Sequence, residues 1–156
     1  TALLSSICFQ RGIKLVYIST DYVFSGEKGN YCEQDELLPQ NKYAWSKLGG
    51  EAAVQMLDNF IIIRLSFGPD LFPYKAAFID QYTSRETASS IVKKIKKVVL
   101  SDFKGVMHVG AERKTVFEYA LSTGATDIDP ISIHDMNVKM PIDTSLNTSL
   151  YKSTIE

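Results

Sequence analysis

The fold of this chain is decided by residues 14–51, KLVYISTDYVFSGEKGNYCEQDELLPQNKYAWSKLGGE. The apolar run over 15–18 is typical of a buried strand, and it ends on the hydroxyl pair Ser19 and Thr20. A polar loop with two glycines follows, and a proline then precedes a segment with helical character. Ligands of open α/β sheets bind outside the carboxyl ends of the strands, so we expect the chemistry of the chain at this strand end.

The helix predicted over roughly 42–57 carries Tyr43 and Lys47 four residues apart, which places both side chains on one face. A nearby ammonium favours phenolate over phenol, so the pair suits acid–base chemistry. Tyr43 is therefore a candidate general acid for protonating a carbonyl oxygen. Thr20 is expected to be a second hydrogen-bond donor to the same oxygen.

The order of these features resembles a known family more closely than the Tyr-x-x-x-Lys spacing alone does. An apolar strand, Ser-Thr-Asp-Tyr-Val-Phe, a glycine-containing loop, Pro, Tyr-x-x-x-Lys and Gly-Glu follow one another as in the extended short-chain dehydrogenase/reductases. Within them, the chain is most similar to the dTDP-4-dehydrorhamnose reductases. The resemblance implies an α/β fold: a partial Rossmann-type, mainly parallel sheet with flanking helices and a small C-terminal substrate-binding portion.

The same resemblance implies an activity and roles for single residues. The activity would be reduction of the 4-keto group of a dTDP-6-deoxyhexulose, with NADPH or NADH as cofactor. Tyr43 would protonate the forming alkoxide, Lys47 would hold the nicotinamide ribose, and Thr20 would orient the carbonyl. Ser19 is expected to contact the cofactor together with Tyr43 and Lys47.

Substrate contacts are expected from Thr20, Asp21 and Phe67. Phe67 follows the next predicted strand, at the place where the resembled family carries an aromatic residue against the nucleotide-sugar. The stretch 80–86 resembles the family's Asp-Gln-x-Gly-x-Pro-Thr but lacks its Gly, Pro and Thr. The tail over 140–149 resembles a segment that packs near the sugar-nucleotide pocket in the family, and a plain surface tail is the alternative interpretation.

Two portions of the chain are expected. Residues 1–68 would be the C-terminal half of a Rossmann-type dinucleotide-binding domain, and 69–156 a substrate-binding portion with an interleaved Rossmann strand and helix at about 87–110. The sequence lacks the G-x-x-G-x-x-G turn that lets a pyrophosphate approach a helix N-terminus. We therefore expect a fragment, or a descendant of a reductase that lost its first half, with an apolar strand edge left without its neighbour at 14–18.

Local signals predict the remaining elements. A first helix over 2–11 is expected to end at Gly12, which acts as its C-cap. Capping boxes are expected to begin two further helices, and short strands are expected between them. The boxes are Thr83 with Glu86, beginning a helix to about residue 100, and Thr115 with Glu118, beginning a helix closed by Gly124; the strands are 59–65, 105–110 and 131–133.

Composition excludes several other classes of function. The 156 residues carry a formal net charge of −1, which argues against nucleic acid as a partner, and the one basic cluster, Lys93, Lys94, Lys96 and Lys97, is interpreted as a solvated helix face. Cys8 and Cys32 lack metal-type spacing and are expected to be free thiols, and no metal site is expected. No apolar run has the length of a membrane span and no secretory signal is present, so we expect a cytoplasmic protein without a membrane partner. A nucleotide-sugar is the expected partner, with a homodimer as a candidate assembly.

Two other functions stay open at this point. A nucleotide-sugar epimerase or dehydratase would keep the fold, but dehydratases generally carry an acidic pair where Asp21 is followed by Tyr22. A non-catalytic binding or regulatory subunit, as in the reductase-like β subunit of methionine adenosyltransferase, is favoured by the missing glycine turn. The presence of Thr20, Tyr43 and Lys47 together argues against such a subunit.

Overall fold

The computed structural model describes residues 1–137 and 140–156. Its helices are α1 (Ala2–Arg11), α2 (Lys42–Val54), α3 (Ala88–Leu100), α4 (Val116–Ser122) and α5 (Ser149–Ile155). Its strands are β1 (Leu15–Thr20), β2 (Phe60–Leu65), β3 (Phe67–Gly68), β4 (Ala76–Phe78), β5 (Tyr82–Thr83), β6 (Glu86–Thr87), β7 (Gly105–Val109), β8 (Lys114–Thr115) and β9 (Asp129–Ile131).

A three-stranded parallel sheet in the order β1-β2-β7 forms the centre of the fold. Thr20 lies opposite Leu65, and Leu65 lies opposite Val109, so the three strands end at one common edge. Parallel neighbours require crossover connections, and α2 and α3 lie within the two crossovers. The predicted α/β class with a mainly parallel Rossmann-type sheet is confirmed.

Helices cover both faces of this sheet. Ile61, Ile62 and Ile63 are completely buried, as expected for a strand that is covered on both sides. Ile61 and Ile63 pack with apolar residues of α3, β7 and α5. Ile62 lies opposite Tyr17, whose hydroxyl donates to the Lys47 carbonyl of α2 on the other face. Helix α1 packs beside α2.

The residues beyond the sheet edge form a smaller body with its own core. Its short strands pair as β3 with β6 and β4 with β9 in parallel, and as β5 with β8 in antiparallel. Apolar side chains of α4, of β4 and of the segment before β4 pack together there: Phe72, Ala77, Val116, Tyr119 and Ala120. Strand β3 follows β2 almost directly and pairs with β6. The connection between β5 and β6 therefore lies next to the end of β2.

Some local predictions were wrong. The box of Thr83 and Glu86 does not begin a helix; α3 begins after Thr87, whose hydroxyl accepts from the Ser90 amide. The strand predicted over 131–133 lies at 129–131 instead, and Ile133–Asp135 forms a 3₁₀ turn.

Other local predictions were correct. The second capping box is present, since Thr115 and Glu118 satisfy each other's backbone N–H groups. Gly12 caps α1 with a left-handed conformation, at φ 63°. Both signals depend on residues close in sequence, which is why the sequence alone reveals them.

Strand β1 is an edge strand of the sheet. Within the described residues it pairs with β2 on one side and has no strand on the other. Next to it, α1 exposes large apolar side chains, with Leu3 and Phe9 78% and 66% exposed. The expected unpaired apolar edge is therefore present. Among the described helices, none has the length and hydropathy needed to cross a membrane.

Candidate active site at the carboxyl edge of the sheet

An open cleft of about 190 Å³ lies where β1 and β2 end. Strand ends, helix α2 and the connection between β5 and β6 all contribute to it, because the parallel sheet brings them to one edge. All six candidate site residues of the sequence analysis line the cleft. Its lining consists of Ile18, Ser19, Thr20, Asp21, Tyr22, Tyr43, Lys47, Leu65, Ser66, Phe67 and Arg85.

Tyr43 and Lys47 reach the cleft from the first two turns of α2. The helix begins where the Asn41 side chain accepts from the Ala44 amide at 2.8 Å, which fixes its register. Tyr43 is 56% exposed, so its phenol is open to a ligand. The Lys47 ammonium donates to the Ile18 carbonyl at 2.5 Å, at the end of β1.

The ammonium of Lys47 packs over the ring of Tyr17. The Lys47 Nζ lies 4.3 Å from the centre of that ring, a cation–π distance. Gly50 allows this packing, because a Cβ at Gly50 would overlap the Tyr17 hydroxyl. Helix α2 therefore approaches β1 closely, and this approach places the ammonium at the strand end.

Thr20 and Asp21 are joined by hydrogen bonds beneath the cleft. The Thr20 hydroxyl donates to Asp21 Oδ1 at 3.1 Å and accepts from the Tyr22 amide at 3.2 Å. Asp21 Oδ2 accepts from the Thr144 hydroxyl at 2.7 Å. Burial raises the pKa of Asp21, against the opposing effect of these two hydroxyl hydrogen bonds. Both carboxylate oxygens are thus engaged, and the predicted substrate contact of Asp21 stays a prediction.

Ser19 presents a hydroxyl that the described residues leave unsatisfied. The residue is buried, and its Oγ has no hydrogen-bond partner within 1–137 and 140–156. A buried polar group without a partner costs about 1–3 kcal/mol. Because Ser19 lines the cleft, a bound ligand would be able to satisfy it.

Phe67 of β3 and Arg85, which directly precedes β6, lie just beyond the end of β2. Phe67 begins β3 and lies opposite Glu86 in β6, so it is a neighbour of Arg85. The Phe67 ring is 56% exposed, which argues against a role as an apolar cap beneath a loop. Sequence analysis missed Arg85. Its signal was the presence of a cation in the stretch 80–86, where the resembled family carries Pro.

The tail over 140–149 packs beneath the cleft and is not a plain surface tail. Asp143, Thr144 and Ser145 are buried, and Thr144 binds Asp21 as described. The Tyr31 amide donates to the Ser145 carbonyl at 2.9 Å, which ties the tail to the loop after β1. The tail therefore supports the residues that form the cleft floor.

A buried ion pair fixes α2 to the sheet. Arg64 of β2 donates to Glu51 of α2 from Nε at 3.1 Å and from its terminal nitrogen at 2.8 Å, and both side chains are buried. The Arg64 guanidinium also donates to the Glu33 carbonyl. Burial, together with the charge of Arg64, lowers the pKa of His108 to about 3, so this ring is a neutral partner in the cluster.

Comparison with known proteins shows which proteins this chain is similar to. Residues 1–72 match the family model described as the RmlD substrate binding domain. The chain is 47% identical over 66 residues to a probable low-salt glycan biosynthesis reductase, Agl14, of Haloferax volcanii, covering 41% of this chain and 22% of that protein. It is 29% identical over 137 residues to the methionine adenosyltransferase 2 subunit beta of Rattus norvegicus, covering 70% of this chain and 40% of that protein. Further relatives are named dTDP-4-dehydrorhamnose reductases.

Solved structures share the fold. A hypothetical dTDP-4-dehydrorhamnose reductase from Sulfolobus tokodaii superposes with a TM-score of 0.81 at 28% identity, over 97% of this chain and 62% of that one. Structures of lower identity share the fold as well, some of them in complex with NADP or NAD. The chain spans about a fifth of the length of the curated reductases that it matches, 22% in the Haloferax volcanii protein. The resemblance noted from the sequence is confirmed: this chain is related to the RmlD-like reductases, by sequence over residues 1–72 and by fold over nearly its whole length.

Proposed function

We propose that this chain forms the catalytic portion of an NAD(P)H-dependent reductase that acts on the 4-keto group of a dTDP-6-deoxyhexulose. The observation that supports this most directly is that Tyr43, Lys47 and Thr20 line one open cleft at the carboxyl edge of the sheet. A phenol, an ammonium and a hydroxyl around one spot are suited to protonating and orienting a carbonyl group.

Each of the three residues has a role that its surroundings allow. Tyr43 would donate the proton that the carbonyl oxygen takes up, since its exposed phenol is open to the substrate. Lys47 would hold the nicotinamide ribose beside Tyr43, with its ammonium already directed to the end of β1. Thr20 would orient the carbonyl by exchanging its hydrogen bond to Asp21 for one to the substrate.

The residues at this edge fit a nicotinamide cofactor. The Ser19 hydroxyl is buried without a partner in the described part of the chain, so a cofactor group would satisfy it. Ser19, Tyr43 and Lys47 would contact the cofactor, and NADPH or NADH would supply the hydride. Phe67 would offer its exposed ring to the nucleotide-sugar, which is the proposed substrate.

The division of the chain is part of the same proposal. Residues 1–68 would belong to the dinucleotide-binding domain and 69–156 would bind substrate, while β7 of the second portion is the third strand of the parallel sheet and α3 packs against it. The activity is proposed for the whole protein, because this chain spans only part of its relatives. We also predict that the protein forms a homodimer and is located in the cytoplasm.

Replacement of Tyr43 by Phe tests the mechanism. In the whole protein for which the activity is proposed, turnover of a dTDP-4-keto-6-deoxy sugar, measured by NADPH absorbance, is expected to fall about 10²–10⁴-fold. Binding of dTDP is expected to stay unchanged, because the phenol acts on the carbonyl. Tyr74→Phe, an exposed tyrosine outside the cleft, is the matched control. Unchanged turnover in Tyr43→Phe would remove Tyr43 from the mechanism.

A non-catalytic reductase-like subunit is the second candidate function. The observation that favours it is the match to the Rattus norvegicus subunit beta, which covers 70% of this chain. This second function would be supported if the protein binds the dinucleotide but does not oxidise NADPH when a keto-sugar is added. A nucleotide-sugar epimerase or dehydratase is a further alternative, and the dehydratase is less favoured because Tyr22, rather than a second acid, follows Asp21.

A further inference from the structure

Arg85 is a second cation of the cleft, in addition to Lys47. It lies in the connection between β5 and β6, and its Nε donates to the Ser66 hydroxyl at 3.4 Å, just after β2. The carbon of its guanidinium lies 5.8 Å from the centre of the Tyr119 ring. Arg85 and Phe67 both line the cleft, beside the end of β2.

The connection that carries Arg85 is fixed by its surroundings. The Arg85 amide donates to the Thr83 hydroxyl at 3.1 Å, and the Ser84 carbonyl accepts from the Ala111 amide at 2.9 Å. A Cβ at Gly110 would lie 2.7 Å from that same carbonyl, so the connection packs closely against the end of β7. A ligand that binds Arg85 therefore meets a backbone that is already ordered, which lowers the entropic cost of binding.

The charge of Arg85 is not neutralised by an ion pair. In residues 1–137 and 140–156, no carboxylate lies within salt-bridge distance of it. The charge of Asp21 acts on Arg85 through space, but the two oxygens of Asp21 accept from the hydroxyls of Thr20 and Thr144 and not from Arg85. The cleft therefore has a positive end with donor groups available to an anion.

We propose that Arg85 binds the diphosphate of a nucleotide-sugar at this end of the cleft. A guanidinium presents paired N–H donors that match phosphate oxygens bidentately. Its neighbour Phe67 offers an exposed ring beside the bound anion. The inference rests on the proposed function and deepens it, because it assigns the substrate's charged group to a residue that replaces a proline of the resembled family.

Binding of thymidine diphosphate, thymidine and NADP⁺, measured by calorimetry without turnover, tests the assignment. Arg85→Gln is expected to weaken dTDP binding about tenfold to a hundredfold and to leave thymidine binding unchanged, since the lost bonds are charge-assisted. Arg85→Lys is expected to recover only part of the loss, because an ammonium lacks the planar fork. Arg11→Gln, which removes an exposed arginine of α1, controls for net charge.

The outcomes separate this inference from the reductase proposal. A loss for dTDP with NADP⁺ binding unchanged supports the substrate diphosphate as the ligand of Arg85. A loss confined to NADP⁺, equal affinities for dTDP in wild type and Arg85→Gln, or no dTDP binding at millimolar concentration would overturn it. Tyr43→Phe is expected to keep dTDP binding whether or not it loses turnover. A result that contradicts the reductase mechanism therefore does not contradict the assignment of Arg85.

Discussion

Asp21 carries a carboxyl group whose ionisation opposes folding. It is buried beneath the cleft, accepts from Thr20 and Thr144, and has a pKa that burial raises from 3.8. An acid with a raised pKa in the folded state favours its neutral form there. Its contribution to stability therefore falls as pH rises from the unfolded pKa through the folded one, and is constant above it.

Replacement of Asp21 by Asn, which is neutral at every pH, makes this effect measurable. The free energy of unfolding of the wild type minus that of Asp21→Asn is expected to decrease as pH rises from 4 to 8, with a slope of at most about 1.4 kcal/mol per pH unit. Urea unfolding at several pH values gives the difference, and Asp102→Asn, at an exposed aspartate, controls for charge. A difference that grows with pH would mean that the hydroxyl hydrogen bonds outweigh burial.

At the scale of elements, the contact between α2 and β1 depends on one glycine of an adjacent pair. Gly50 faces Tyr17, and an added Cβ there would overlap the tyrosine hydroxyl, whereas Gly49 has nothing within 4 Å of its added Cβ. The two positions share a helix and a residue type but differ in their surroundings. Alanine substitutions at the two positions therefore separate the effect of packing against the sheet from the effect of helix propensity.

Alanine at the two positions is expected to have opposite effects. Gly50→Ala should lower the free energy of unfolding by about 1–3 kcal/mol through overpacking. Gly49→Ala should raise it by about 0.5–1 kcal/mol, because alanine favours the helix. Urea denaturation of both variants beside the wild type checks this. Equal stability of the two variants would show that the Tyr17 ring moves aside without cost.

At the scale of the whole molecule, β1 has no strand on one side within the described residues, and α1 beside it exposes apolar side chains. The 156-residue chain is expected to associate as its concentration rises and to bind NADPH more weakly than micromolar, since the sequence lacks the G-x-x-G-x-x-G turn. Sedimentation velocity and a nicotinamide fluorescence titration on the same samples measure both properties.

A matched pair of substitutions locates the associating face. Phe9→Glu, on the exposed face of α1, should reduce association, whereas Leu100→Glu, at the exposed end of α3, should not. Micromolar NADPH binding by a chain that sediments as a monomer would contradict the expectation for the unpaired edge. It would show that 1–156 suffices for the cofactor.

The sequence predicted those parts of the fold and site that depend on neighbours along the chain. The β1 end, helix α2 and the box at Thr115 follow from runs, spacings and caps within about ten residues. Arg85 was missed because the pairing of β3 with β6, set by the body around 69–131, brings it to the cleft. The box at Thr83 was wrong because Thr83 and Glu86 lie in the paired strands β5 and β6, and Thr87 caps α3 instead.

The hydrogen bond between Asp21 and Thr144 joins residues 123 positions apart in the chain. During synthesis, β1 and α2 are therefore made long before the segment that completes the floor beneath them. Contacts between residues so far apart in the chain form slowly, because the entropy of closing a long loop is lost before the contacts contribute favourable free energy. The cleft would be assembled last in folding, after the sheet, and its acquisition of ligand binding would lag behind the appearance of secondary structure.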